Sequence, residues 1–148
     1  MEVFMEDRVD IKIKHRHRII NGVIWYEYSP DDSDILILHL EAEGIILSAS
    51  ANTCFSALTA LRKDMEMMNA YPLVMGAHEK VYPSPMQLGM GDGRKAYFQR
   101  MGKPALMSDC VDIFDPCSVD DVSSIEAQEQ YHNRWIAVAT ERYRKQHL

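Results

Sequence analysis

The chain has 148 residues, 47% hydrophobic and 26% charged, with a formal net charge of −6. That length buries enough surface to fold without metal or disulfide support, so 1–148 is read as a single domain, and the composition excludes a disordered chain. The longest apolar runs, 35–40 and 45–47, are far too short to cross a bilayer, and Cys54, Cys110 and Cys117 form no close CxxC pair.

The opening MEVFMEDRVD carries acidic residues where a signal peptide needs basic ones. With three reduced cysteines, a cytoplasmic location is expected. From Arg8 to Tyr28 polar and apolar residues alternate around Asn21-Gly22, predicting two antiparallel strands at 9–20 and 23–29 joined at that dipeptide. The turn chemistry of SPDDSD ends the second strand. Residues 35–40 and 45–47, separated by Gly44, predict further strands.

Asn52-Thr53 offers a cap for a helix over 53–69, in which Cys54, Leu58, Leu61, Met65 and Met68 recur at three- and four-residue steps. Its methionines are read as core, with a soft partner-binding surface as the alternative. Tyr71-Pro72 stops it. Short strands are expected at 73–75, 96–101 and 111–114. A last helix over 120–145 is capped by Ser118 or Ser123, with Asp120, Asp121 and Glu126 near its positive end and Arg142, Arg144 and Lys145 near its negative one. Trp135 is its expected anchor on the sheet. The fold class is therefore α+β: a mostly antiparallel sheet of five or six strands with two main helices packed on it.

Three patterns invite chemistry. Gly89, Gly91 and Gly93, followed by Arg94-Lys95, match neither a Walker loop nor a dinucleotide fingerprint, and the Ala96-Tyr97-Phe98 that follows reads as a strand, leaving no helix N-terminus for a phosphate. A tight turn is preferred; Gly91, Gly93, Arg94 and Lys95 remain the alternative ligand set, for a small nucleotide- or phosphate-binding enzyme. His15 and His17 would share one face of a strand, yet no third metal ligand can be assigned, so a solvated face is expected and neither a metal nor a cofactor is. Cys54, Cys110 or Cys117 with His39, His78 or His132 forms no motif with a mechanism attached. At a helix start Cys54 is either a thiol of lowered pKa or a small buried hydrophobe.

Charge is uneven along the chain. Residues 78–104 carry Lys80, Arg94, Lys95, Arg100 and Lys103 against Glu79 and Asp92, whereas 105–133 carry Asp109, Asp112, Asp115, Asp120, Asp121, Glu126 and Glu129 with no Lys or Arg. Such a surface repels nucleic acid and favours a basic partner, unless it is simply a solvated loop leading into a helix.

The run VMGAHEKVYPSPMQLGMGDGRKAYFQRMGKPA, continued by VDIFDP at 111–116, resembles small bacterial proteins found among the immunity partners of polymorphic toxins, including contact-dependent growth inhibition systems. The shared features are a glycine turn, an Arg/Lys-Ala-Tyr strand, a Gly-x-Pro turn and an acidic VDIF-like segment, covering 74–116. The resemblance implies a cytosolic, non-enzymatic inhibitor whose partner is a cognate toxin domain, often a basic nuclease, met by the seven acidic residues above. No membrane or nucleic-acid partner is implied. A self-associating structural domain is a third reading, expected to show as a stable homo-oligomer.

Overall fold

A computed structural model describes residues 8–147. The first seven residues, on which most of the signal-peptide reading rests, lie outside the described residues. Period-two alternation builds a curled antiparallel sheet from β1 (Val9–His15), β2 (Arg18–Tyr28), β3 (Leu36–Ala42), β4 (Ile45–Ala51) and β5 (Ala70–Pro72), in the order β4-β3-β2-β1-β5.

The first hairpin turns at Arg16-His17, not at Asn21-Gly22. Register decides this. A turn at 21–22 would set Ile13 and Ile11 opposite Pro30 and Asp32, whereas the observed pairing sets Ile13 against Ile20 and Val9 against Ile24 on the core face. Gly22 lies mid-strand, where an added Cβ would come within 2.8 Å of Ile13 Cδ1 and 3.0 Å of Ala42 Cβ. Arg16 takes a left-handed φ of 58°, and its N–H is held by the Asn69 carbonyl. His17 therefore sits in the turn and shares no strand face with His15.

A two-residue turn, Glu43-Gly44, with φ of 35° and 88°, joins β3 to β4. The inner face of the sheet, including Ile13, Ile24, Leu36, Leu38 and Leu40, is covered by α1 (Cys54–Met67). Thr53 caps α1, its Oγ1 accepting the Ser56 N–H, and Leu58, Leu61 and Met65 point into the core. Of the methionines, Met65 is core while Met67 is exposed.

The strand expected at 73–75 lies three residues earlier, as β5, because pairing of Tyr71 with Lys14 and Pro72 with Ile13 continues the sheet and Met75–Ala77 closes a 3-10 turn. A second, three-stranded sheet follows, ordered β6 (Val81–Tyr82), β7 (Lys95–Phe98), β8 (Cys110–Asp112). The expected antiparallel sheet of five or six strands is thus the five-stranded one, and the three-stranded sheet is additional to it, giving eight strands among the described residues.

Between β6 and β7, ahead of the glycine turn, the chain forms a short helix, α2 (Pro85–Met90). Ser84 and Gln87 form a reciprocal capping box with proline at the first helical position. The last helix, α3 (Ile125–Gln146), is capped by Ser124 rather than Ser118 or Ser123, so Asp120 and Asp121 lie in the preceding loop and only Glu126 falls in the first turn. Its anchors are Ile125, Gln128 and Tyr131. Trp135 is half-buried and donates its Nε1–H to the Arg100 carbonyl at 3.0 Å. The stripe leaves the protein surface after that turn, leaving Ile136 and Tyr143 exposed.

What fastens α3 to α1 is polar. Arg62, 1% exposed, falls on the buried stripe of α1; its Nη1 donates to Gln128 Oε1 at 2.6 Å and to the Gly76 carbonyl at 3.3 Å, and its Nη2 to the Ser123 carbonyl at 3.0 Å. Gln128, also 1% exposed, shares its amide N–H groups among the Gly76, His78 and Val81 carbonyls at 2.8, 3.1 and 2.9 Å. Both terminal nitrogens of Arg62 and both ends of the Gln128 amide are occupied, which is what makes a buried guanidinium tolerable.

Candidate interaction surface

The glycine segment is built onto the start of α1. Asp92, with φ of 55°, directs its carbonyl to the Cys54 N–H and accepts the Tyr28 hydroxyl on its carboxylate. Gly93 follows with φ of 69°, and a Cβ there would stand 3.0 Å from Phe55 Cβ and 3.1 Å from Leu88 Cδ2. The loop therefore occupies the N-terminus of α1 with its own backbone. Gly93→Ala is expected to cost about 1–3 kcal/mol through the left-handed backbone alone. An unchanged urea midpoint would contradict this account of the loop.

Arg94 and Lys95 both turn to Asp112. Arg94 Nε lies 2.8 and 3.0 Å from its two carboxylate oxygens and Lys95 Nζ 3.6 Å from one of them. The guanidinium also stacks 4.6 Å from the Phe114 ring centre and 5.9 Å from that of Tyr26. Of the ligand set Gly91, Gly93, Arg94 and Lys95, the two cations thus face an internal carboxylate and Gly93 faces packed side chains. Gly91 ends α2 at an ordinary φ of −120°.

The seven acidic residues divide into two groups. Asp109 is buried against Arg100, and the Leu106 N–H followed by the Arg100 guanidinium holds its carboxyl below the usual range. Burial pushes Asp112 up, but Arg94 and the Phe114 N–H more than offset it, and its carboxyl also lies below the ordinary value. These two are structural partners of the basic segment. Asp115, Asp120, Asp121, Glu126 and Glu129 are all exposed, and none has an ion-pair partner among the described residues.

These five run along the loop into α3 and over its first two turns. The Glu79 N–H reaches the Asp121 carbonyl at 3.4 Å and His78 bridges to Val122, which brings Glu79 alongside them. Glu79 was not legible as a member of the acidic surface, because in sequence it belongs to the locally basic segment. Next to Asp115, an open groove of about 970 Å³ lies between the start of β4 and the 114–117 segment. Ile11, Ile45, Leu73, Phe114, Pro116 and Cys117 are among its lining residues.

The cysteines and histidines make no catalytic arrangement among the described residues. Burial pushes the Cys54 thiol up to about 12 and the Cys117 thiol up to about 11, so the helix start does not activate Cys54. His39 bonds Ser48, His78 accepts the Lys80 N–H, and His132 bonds Gln99 while stacking on Tyr82. Among the described residues no group of three His, Cys, Asp or Glu side chains is placed to hold a metal ion, and no helix is long and apolar enough to cross a membrane. No protein-family model matches the chain, and no curated protein matches it at a significant level.

Proposed function

We propose that this chain is a non-enzymatic immunity-type inhibitor that binds a basic toxin domain, nuclease-like in charge, through the acidic surface of the 115–129 segment. The observation that carries this reading is the row of five exposed, unpaired carboxylates at Asp115, Asp120, Asp121, Glu126 and Glu129. Carboxylates with no internal cation to neutralise them among the described residues raise the local negative potential, which steers a cationic partner and sets the orientation in which it docks. Asp109 and Asp112, already ion-paired inside the fold, hold the segment in place instead of meeting the partner. The phosphate-binding reading has less support, because Arg94 and Lys95 are engaged by Asp112 and the Asp92 carbonyl fills the start of α1.

Changing Asp115, Asp120 and Asp121 to Asn and Glu126 and Glu129 to Gln together is expected to slow association with a cognate basic toxin domain by about tenfold or more and to flatten its salt dependence. The dissociation rate should change less. Stopped-flow association over a salt series measures both, and a rate equal to that of the unaltered chain would remove this surface from the account.

A further inference from the structure

The two edges of the five-stranded sheet are unlike. The β5 edge is three residues long and ends in Pro72, a form of protection that sheets use against pairing with other chains. The β4 edge is seven residues, IILSASA, with no charge and no proline, and Ile46 on it is 76% exposed.

Because Glu43-Gly44 is a two-residue turn, Ala42 and Ile45 form the hydrogen-bonded closing pair, and bonding to β3 then alternates along β4 through Leu47, Ala49 and Ala51. Ile46, Ser48 and Ser50 direct their N–H and C=O groups away from the sheet. Outside the β3 ladder no backbone bond among the described residues reaches them.

The groove lined by Ile45, Leu73 and Phe114 opens at the end of this edge. The carboxylate residues that line it are Asp10, Glu41, which pairs with Ile46 across the ladder, and Glu43, which meets Arg18 at 3.5 Å; Lys12 lines it as well, and Asp115 lies between the lining residues Phe114 and Pro116.

We propose that β4 docks an extended segment of a cationic partner, which adds as a sixth strand and places an apolar side chain in the groove beside Asp115. The inference rests on the inhibitor reading and supplies its second contact: backbone pairing at β4 in addition to charge attraction at 115–129. Main-chain bonds give such a site affinity and alternate side chains give it specificity. The net charge of −6 opposes a second copy of this chain as the occupant and favours a partner carrying lysines or arginines on the strand that it adds.

The test uses the full chain and, as probe, a ten-residue peptide alternating lysine and valine. A second peptide of the same length and charge, with proline in place of valine, serves for comparison. At saturating peptide, exchange of the Ile46, Ser48 and Ser50 amides is expected to slow by about tenfold, with no such effect from the proline peptide. Ser50→Pro, at a position whose N–H faces outward and takes no part in the ladder, should fold and bind the peptide about tenfold more weakly. Ile46→Lys, at an exposed site, should weaken binding too. Protection confined to 115–129, or equal binding of both peptides, overturns strand addition and leaves the charge reading standing. Dimerisation through β4 without peptide overturns the cationic partner as its occupant.

Discussion

Replacing Gln128 with leucine lowers stability by about 3–5 kcal/mol, more than replacing Arg62 with leucine does, because it strands a charge that the fold has already taken out of water. Burial pushes the Arg62 guanidinium down to about 10, so at every pH below that value the charge costs folding energy that its acceptors must offset. Without Gln128, Arg62 loses its shortest acceptor, at 2.6 Å, and three carbonyls of the 76–81 segment each lose a donor, Gly76 keeping Arg62 and His78 keeping the Val81 N–H. Arg62→Leu removes the charge itself. What remains is an unpaired Ser123 carbonyl and Gln128 Oε1, a loss of about 1–3 kcal/mol. Thermal melts of the two variants give the order, with a drop on the order of 10 °C for Gln128→Leu. The reverse order would show that the charge is not the expensive member of the clamp.

Gly76→Ala produces the second large loss. A Cβ there stands 2.5 Å from Leu58 Cδ2, 3.0 Å from Ile113 Cβ and 3.1 Å from the Ile113 carbonyl. Leu58 and Ile113 are both fully buried, so neither has open space to move into. The Gly76 N–H bonds the Ile113 carbonyl at 2.8 Å, and its own carbonyl accepts from both Arg62 and Gln128, so a shift of this backbone also disturbs the clamp. Overpacking of this kind costs about 1–3 kcal/mol, and here the shared clamp places the expectation at the upper end. Gly89→Ala is the matched control. It lies inside α2 with nothing within 4 Å of the added carbon, and alanine there should leave stability unchanged or raise it by up to about 1 kcal/mol. A urea midpoint for Gly76→Ala equal to that of the control would contradict the packing described.

What the chain discloses without coordinates follows the strength of its periodicities. Alternation over 9–28 and the three- and four-residue steps over 54–68 place the first two strands and α1, and so the α+β class, without any tertiary information. The Asn21-Gly22 dipeptide points to the wrong turn because its local turn preference is overridden by the register that pairs Ile13 with Ile20. Glycine served a different need there, close approach to Ile13 and Ala42 inside a curled sheet. In α2 the glycines at 89 and 91 masked a helix that Ser84, Pro85 and Gln87 had already specified.

The acidic stretch was legible as composition, but not which of its members were engaged. Asp109 meets Arg100 nine residues away and Asp112 meets Arg94 across β7 and β8, pairings that only the register of the second sheet reveals. Arg62 had no signal of its own as part of a clamp. Four places after Leu58 and three before Met65, it falls on the apolar stripe itself, but nothing in the helix names Gln128, 66 residues on, as its partner.

The central claim is that the exposed carboxylates at 115–129 meet a basic toxin domain. The most direct measurement is the association rate and stoichiometry of the full chain with a candidate basic toxin domain, followed from low to high ionic strength alongside that domain's activity. The account predicts a one-to-one complex that blocks the activity and whose formation slows steeply as salt rises. Free, fully active toxin at low salt and at equal concentrations would contradict it.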